Sequence, residues 1–193
     1  MFRPLAMLVC AAGALAMGAG VPAGPTPVLE IGEDLVIGDF EHPDGPTDVG
    51  QWMSWTDRSC CRGSSTAEIE IVSGGANGSS HALAVRGATE RNDIWVGAGA
   101  LFWFKSPADL SGRTAITFWA RGTGDAYRLF FFGLNPAKDI ASTTFVAGAE
   151  WKEVVIPLSA LAAVDPTAIS GIMVGRSEPV GAYALRIDEV RLR

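Results

Sequence analysis

Three groups of side chains in this 193-residue sequence have the types and spacing to do chemistry. The first is carboxylate. Asp39 and Glu41 flank Phe40, so on a regular strand they share one face and point away from Phe40. Asp188 lies between Ile187 and Glu189 and points away from Ile187, a core candidate. Where the first and last strands are neighbours, the three carboxylates meet at one edge of the fold. Hard oxygen donors in that arrangement suit calcium, which takes roughly 6–8 oxygen ligands. Structural calcium is therefore the one cofactor expected. The plainer alternative is edge-strand charge with Arg186 or Arg191 as ion-pair partners, worth little each.

The second group is aromatic. Six tryptophans are many for a chain of this size, and pyranose rings stack their CH faces on aromatic rings. Trp55 with Asp57 and Arg58 has the makings of a stacking and hydrogen-bonding site, and Trp52 lies beside it in a polar, turn-rich segment. Trp103 falls between Phe102 and Phe104 and faces away from both, while Trp119, Thr117 and Arg121 share a face opposite Ile116 and Phe118. The candidate ligand-binding residues are thus Trp52, Trp55, Asp57, Arg58, Trp103, Trp119 and Arg121. Core packing, at roughly 150–250 Å² buried per ring, is the alternative for each tryptophan.

The third group is sulfur and imidazole. Cys60 and Cys61 are adjacent, and a trans peptide holds their Cα atoms at ~3.8 Å, below the usual disulfide range of roughly 4.4–6.8 Å. A strained bridge within the pair, an intermolecular bridge and free thiols all remain open. The pair lacks the separated cysteines of a zinc site. His42 and His81 are the two histidines, and Gly78-Ser-Ser80 ahead of His81 does not spell the Gly-x-Ser-x-Gly nucleophile elbow. No residue is assigned a catalytic role, and the chain is not expected to be an enzyme.

The elements that must position these groups are strands. Ala67–Val72 alternates strictly, with Ile69 and Ile71 on one face and Glu68 and Glu70 on the other; His81–Arg86 repeats the pattern with Leu83 and Val85. Further runs are Trp95–Gly97, Ala100–Lys105, Thr114–Arg121, Tyr127–Leu134, Trp151–Pro157, Gly171–Val174 and Tyr183–Leu192. Short period-2 runs between turn residues indicate an all-β fold, a jelly-roll sandwich of two antiparallel sheets. Ala115–Ala120 and Leu129–Gly133 are apolar on both faces and belong in the interior of the sheets. Leu158–Ala163, between Pro157 and Pro166, is long enough for a single helical turn. The first strand, Leu35–Phe40, is expected to pair with the last.

Ahead of these strands stand Arg3, an apolar run over Leu5–Met17 and a Gly-, Ala- and Pro-rich stretch to Pro27, the pattern of a secretory signal peptide. The expected organisation is a signal peptide over 1–23, an N-terminal extension over 24–34 and a β-sandwich domain over 35–193, exported to the periplasm or beyond. No further apolar stretch is long enough to span a bilayer. Taking away Arg3 leaves 14 basic against 21 acidic residues, a net charge of −7, with no footprint for nucleic acid. Only 3 of the chain's 15 cations are Lys, which favours hydrogen-bonded or stacked cations over solvated ones.

One ordered series carries a resemblance. Gly38–Glu41, Trp55–Ser59, Gly63–Ser65, Asp109–Ser111, Phe118–Gly122, Trp151–Ser159 and Leu185–Val190 together resemble the complex I intermediate-associated protein 30 family. In layout the series is also similar to carbohydrate-binding modules of the galactose-binding-like sandwich. The resemblance runs from about Ile37 to Leu192 and implies a non-catalytic jelly roll, with a structural calcium between the terminal strands in similar modules. The chain departs from the family after its first Trp, where Cys60 stands near a usual Met and Cys61-Arg62 replace two glycines. The expected function is a binding module for carbohydrate or an envelope component. A chaperone-like assembly factor with a protein partner is the alternative, and a hydrolase the third reading.

Overall fold

Alternating apolar and polar residues drive one face of each strand into a shared core. A computed structural model describes residues 34–42, 49–58, 62–90, 97–136 and 138–193. The segment read as a signal peptide (1–23), most of the expected 24–34 extension, Trp95, and the pair Cys60 and Cys61 lie outside the described residues. The described residues form β1 (Leu35–Gly38), β2 (Gly50–Thr56), β3 (Thr66–Ser73), β4 (His81–Thr89), β5 (Ala98–Ala108), β6 (Ala115–Gly122), β7 (Ala126–Phe132), β8 (Ile140–Val146), β9 (Lys152–Pro157), β10 (Ile169–Arg176) and β11 (Gly181–Leu192). Two short 3-10 turns, Leu158–Leu161 and Pro166–Ala168, join β9 to β10. The first is the single turn expected there.

The strands make two antiparallel sheets. The first runs β3-β4-β11-β6-β9, with β1 also pairing β11; the second runs β2-β5-β10-β7-β8. The first and last strands pair as expected, Leu35 opposite Leu192. β6 and β7 occupy interior positions in different sheets, which is why both are apolar on their two faces. No helix among the described residues is long and apolar enough to cross a membrane.

The sheets meet over a core from both: Ile37, Leu83, Val85, Phe118, Leu185 and Ile187 from the first, and Phe102, Phe104, Leu129, Phe131, Ile172 and Val174 from the second. Toward the β8 edge of this core Phe145 packs edge-on against Phe118 at 5.1 Å and stacks on Tyr127 at 5.8 Å. The Tyr127 hydroxyl donates to the Ala184 carbonyl at 2.8 Å, so this large ring is buried without stranding its polar end.

Two strands differ from the sequence reading. Trp52–Thr56 belongs to β2 and is not turn-rich loop, and β8 was not anticipated. Both lie at edges of the second sheet, where polar residues such as Gln51, Ser54, Ser142 and Thr144 are tolerated and blur the alternation.

Candidate functional site

On β5 the alternation sends Phe102 and Phe104 into the core and Trp103 outward, where it is 38% exposed. The register carries this parity across the second sheet and builds three rows on its outer face. One row runs Gln51, Trp103, Gly171, Phe132, Ile140; the next Met53, Leu101, Met173, Phe130, Ser142; the third Trp55, Gly99, Gly175, Arg128, Thr144. Leu101, Phe130, Phe132 and Met173 form a buried apolar cluster against which Met53, Trp55 and Ile140 pack. Phe130 and Phe132 stack nearly parallel at 6.2 Å.

Gly171 matters here, because a Cβ at that position would stand 2.9 Å from Cε3 of Trp103. The indole therefore lies against bare backbone. Trp55 is opposite Gly99, four residues from Trp103 along β5, which separates the two indoles along the strands by about 13 Å. Exposed Ser142 and Thr144 and half-buried Arg128 border the face on the far side. The arrangement sets one exposed indole, Trp103, and half-buried Trp55 and Met53 beside a buried apolar cluster, with hydrogen-bonding groups at the border. Sequence reasoning found Trp55 and Trp103 but missed Met53, Arg128, Phe130, Phe132, Ser142, Thr144 and Met173; only the pairing of strands brings these together.

The other ligand candidates are placed elsewhere. Trp52 faces inward, wedged between Phe40 and Phe102 at 5.7 and 5.4 Å, and its Nε1 donates to the Ile37 carbonyl at 2.7 Å. Asp57 is fully buried: Oδ1 accepts from the Ser65 N–H at 3.1 Å and Oδ2 from the Ser65 hydroxyl at 2.7 Å. A Cβ on Gly63 would stand 2.0 Å from the Asp57 carboxyl carbon, so glycine is required there. Full burial removes Asp57 from the ligand site, and half-buried Trp52 turns its ring to the core and its Nε1 to the Ile37 carbonyl. Arg58 is exposed and donates to the Ser64 carbonyl at 3.1 Å. Trp119 and Arg121 lie on the outer face of the first sheet.

Of the three carboxylates, two converge. Glu41 Oε1 accepts from the Ser79 hydroxyl at 2.5 Å and from the N–H groups of Ser80 and His81 at 2.8 and 3.2 Å. These bonds, that of the Ser79 hydroxyl foremost, hold the Glu41 carboxyl down to about 2 from 4.5. Asp188 is buried at a register shift in β11, with Oδ2 accepting from Ala76 N–H and Oδ1 from Glu189 N–H, both at 2.8 Å, and its Oδ2 lies beside Gly75 together with the Ser79 hydroxyl. Asp39 is exposed and accepts from Glu41 N–H at 3.3 Å, apart from the other two. Among the described residues no three acidic, His or Cys side chains are grouped to hold a metal. Glu41 Oε1 and both Asp188 oxygens receive N–H and O–H donors, and Arg191, the alternative ion-pair partner, binds Glu189. Ser79 donates to Glu41 and to the His81 carbonyl, and makes no bond to the His81 imidazole of the kind a catalytic triad needs.

Glu41→Gln should accordingly lower the melting temperature near neutral pH. A carboxyl whose folded pKa is depressed stabilises above the unfolded value, so the deficit should shrink as pH falls from about 4.5 to about 2. Melts of the unaltered chain in calcium and in chelator belong beside it. The hydrogen-bonded latch expects equal melting temperatures, and a rise in calcium would restore the cation.

No family model matches the chain, and no curated protein matches it. Solved structures do. The family 11 carbohydrate-binding module of the cellulosomal cellulase Lic26A-Cel5E of Clostridium thermocellum superposes with a TM-score of 0.61 at 15% identity, over 83% of this chain and 94% of that one. The family 11 module from Clostridium thermocellum in complex with a β-1,3-1,4-mixed-linked tetrasaccharide gives 0.59 at 17% identity, over 82% and 94%. A family 30 module of the Clostridium thermocellum cellulosomal cellulase Cel9D-Cel44B gives 0.57 at 15%, over 83% and 97%. What is shared is the fold, the galactose-binding-like β-sandwich. The narrower resemblance to the complex I intermediate-associated protein 30 family gains no match.

Proposed function

We propose that this chain is an exported, non-catalytic module that binds a neutral polysaccharide along the outer face of its second sheet. The observation that carries the proposal is Trp103, an exposed indole whose Cε3 edge packs on Gly171 beside a buried apolar cluster. Trp55 stands about 13 Å away along the strands, a spacing that takes several successive sugar units. Sugar rings present apolar CH faces to the indoles, and their hydroxyls meet Ser142, Thr144 and Arg128 at the border. The shared fold with carbohydrate-binding modules supports the same reading, and the N-terminal leader pattern supports export.

Affinity electrophoresis through mixed-linked β-1,3-1,4-glucan and through xylan tests it. The chain should be retarded by at least one of them. Trp103→Ala should weaken retardation more than tenfold, since an indole at the centre of a binding face carries about 2 kcal/mol or more, while leaving the melting temperature close to its starting value. Unchanged migration through both glycans, or retardation indifferent to Trp103→Ala, overturns the proposal and leaves the assembly-factor reading in its place.

A further inference from the structure

The outer face of the first sheet carries a charge arrangement that the fold does not need. Arg186 on β11 stands directly opposite Arg121 on β6, and Arg86 on β4, opposite Ala184, sits diagonally from Arg186. Like charges directly opposite on neighbouring strands destabilise a sheet. The acids of this face do not relieve them. Glu70 is 3.5 Å from Arg86 and Glu153 is 3.5 Å from Arg193, both toward the margins. Glu68 faces Arg86 in the register, and Asp188 is turned to the backbone of Ala76 and Glu189. Among the described residues Arg121 and Arg186 make no ion pair and donate no hydrogen bond. Burial and the charges of Arg121 and Arg86 together pull the Arg186 guanidinium below its ordinary value.

Aromatic surface adjoins the pair. Arg121 lies over the Trp151 ring at 5.2 Å, and half-buried Trp119 shares its face two residues along β6. Guanidinium forks match planar oxyanions bidentately, and an indole takes the apolar face of a ring. The chain is acidic overall, at −6, so no long-range field gathers polyanions and any such contact must be local.

We propose that Arg121 and Arg186, with Arg86 at the rim and Trp119 alongside, form a second saccharide site that takes an oxyanion-bearing sugar, through a uronate carboxylate or a sulfate ester. The site lies on the opposite sheet from Trp103, so it stands or falls separately from neutral-glycan binding.

The test is affinity electrophoresis of the full chain through polygalacturonate and through a sulfated galactan, with mixed-linked glucan beside them. The chain should be retarded by one or both polyanions, and which one retards it identifies carboxylate or sulfate as the group held. Added salt should weaken the effect. Arg186→Gln and Arg121→Gln should each reduce polyanion affinity about tenfold, the loss of a charge-assisted hydrogen bond, without altering migration in neutral glucan. Trp103→Ala should do the reverse. Relief of like-charge repulsion should leave the melting temperature of Arg186→Gln equal or higher. Migration unchanged by both polyanions overturns the proposal. Retardation indifferent to both arginine variants, or a melting temperature several degrees lower for Arg186→Gln, also overturns it.

Discussion

Asp57→Ala is expected to destabilise the domain by about 3 kcal/mol, the range for breaking a buried, hydrogen-bonded carboxylate site. For a domain of this size that is a fall of roughly 6–12 °C in melting temperature. The cause is specific. Asp57 is fully buried and accepts from both the N–H and the hydroxyl of Ser65, with its own N–H bonded to the Gly97 carbonyl at 3.0 Å. Alanine leaves the Ser65 N–H in the interior with no acceptor and opens space beside Gly63, which was shaped to admit the carboxyl. Asp57→Asn should cost far less, about 1 kcal/mol or under. Its carbonyl oxygen takes the N–H, and the Ser65 hydroxyl turns to accept from the amide nitrogen. Chemical denaturation of the two variants reads both numbers. An alanine variant that melts with the unaltered chain would return Asp57 to the list of ligand-binding residues.

The contrast between Asp57 and Trp103 marks where sequence reading works on this chain. Parity along a strand is local, so Phe102, Trp103 and Phe104 could be sorted to opposite faces from three letters, and Ile69 and Ile71 could be sent to the core. The pairing of the first strand with the last was legible too, because sandwiches close that way. Sheet membership was not. β6 and β7 follow each other in the chain yet lie in different sheets, so nothing local says that Trp103 and Phe132 share one face while Trp119 and Arg186 share another. Asp57 was misread for a related reason. A short polar residue after a tryptophan looks like part of a site, and the serine that buries it lies eight residues on, beyond two cysteines.

Asp188 should behave in the opposite way to Asp57 when replaced by asparagine. Its two oxygens each accept a backbone N–H, from Ala76 and from Glu189. Neither donor can reverse. In Asp188→Asn the amide nitrogen must face one of them, donor against donor, so asparagine should cost as much as alanine, about 3 kcal/mol each. The pH dependence separates this residue from its neighbour Glu41. Burial raises the Asp188 carboxyl above its ordinary value, against the pull of its hydrogen bonds. A raised folded pKa contributes stability that is present below the unfolded value and lost as pH rises through the folded one. The gap between the unaltered chain and Asp188→Ala should therefore widen on acidification, whereas the gap to Glu41→Gln should close. Melts of the three proteins across the acid range decide the matter. If both gaps move in the same direction, or if Asp188→Asn melts with the unaltered chain, then Asp188 does not clamp the Ala76 loop to the last strand by accepting from two fixed N–H groups.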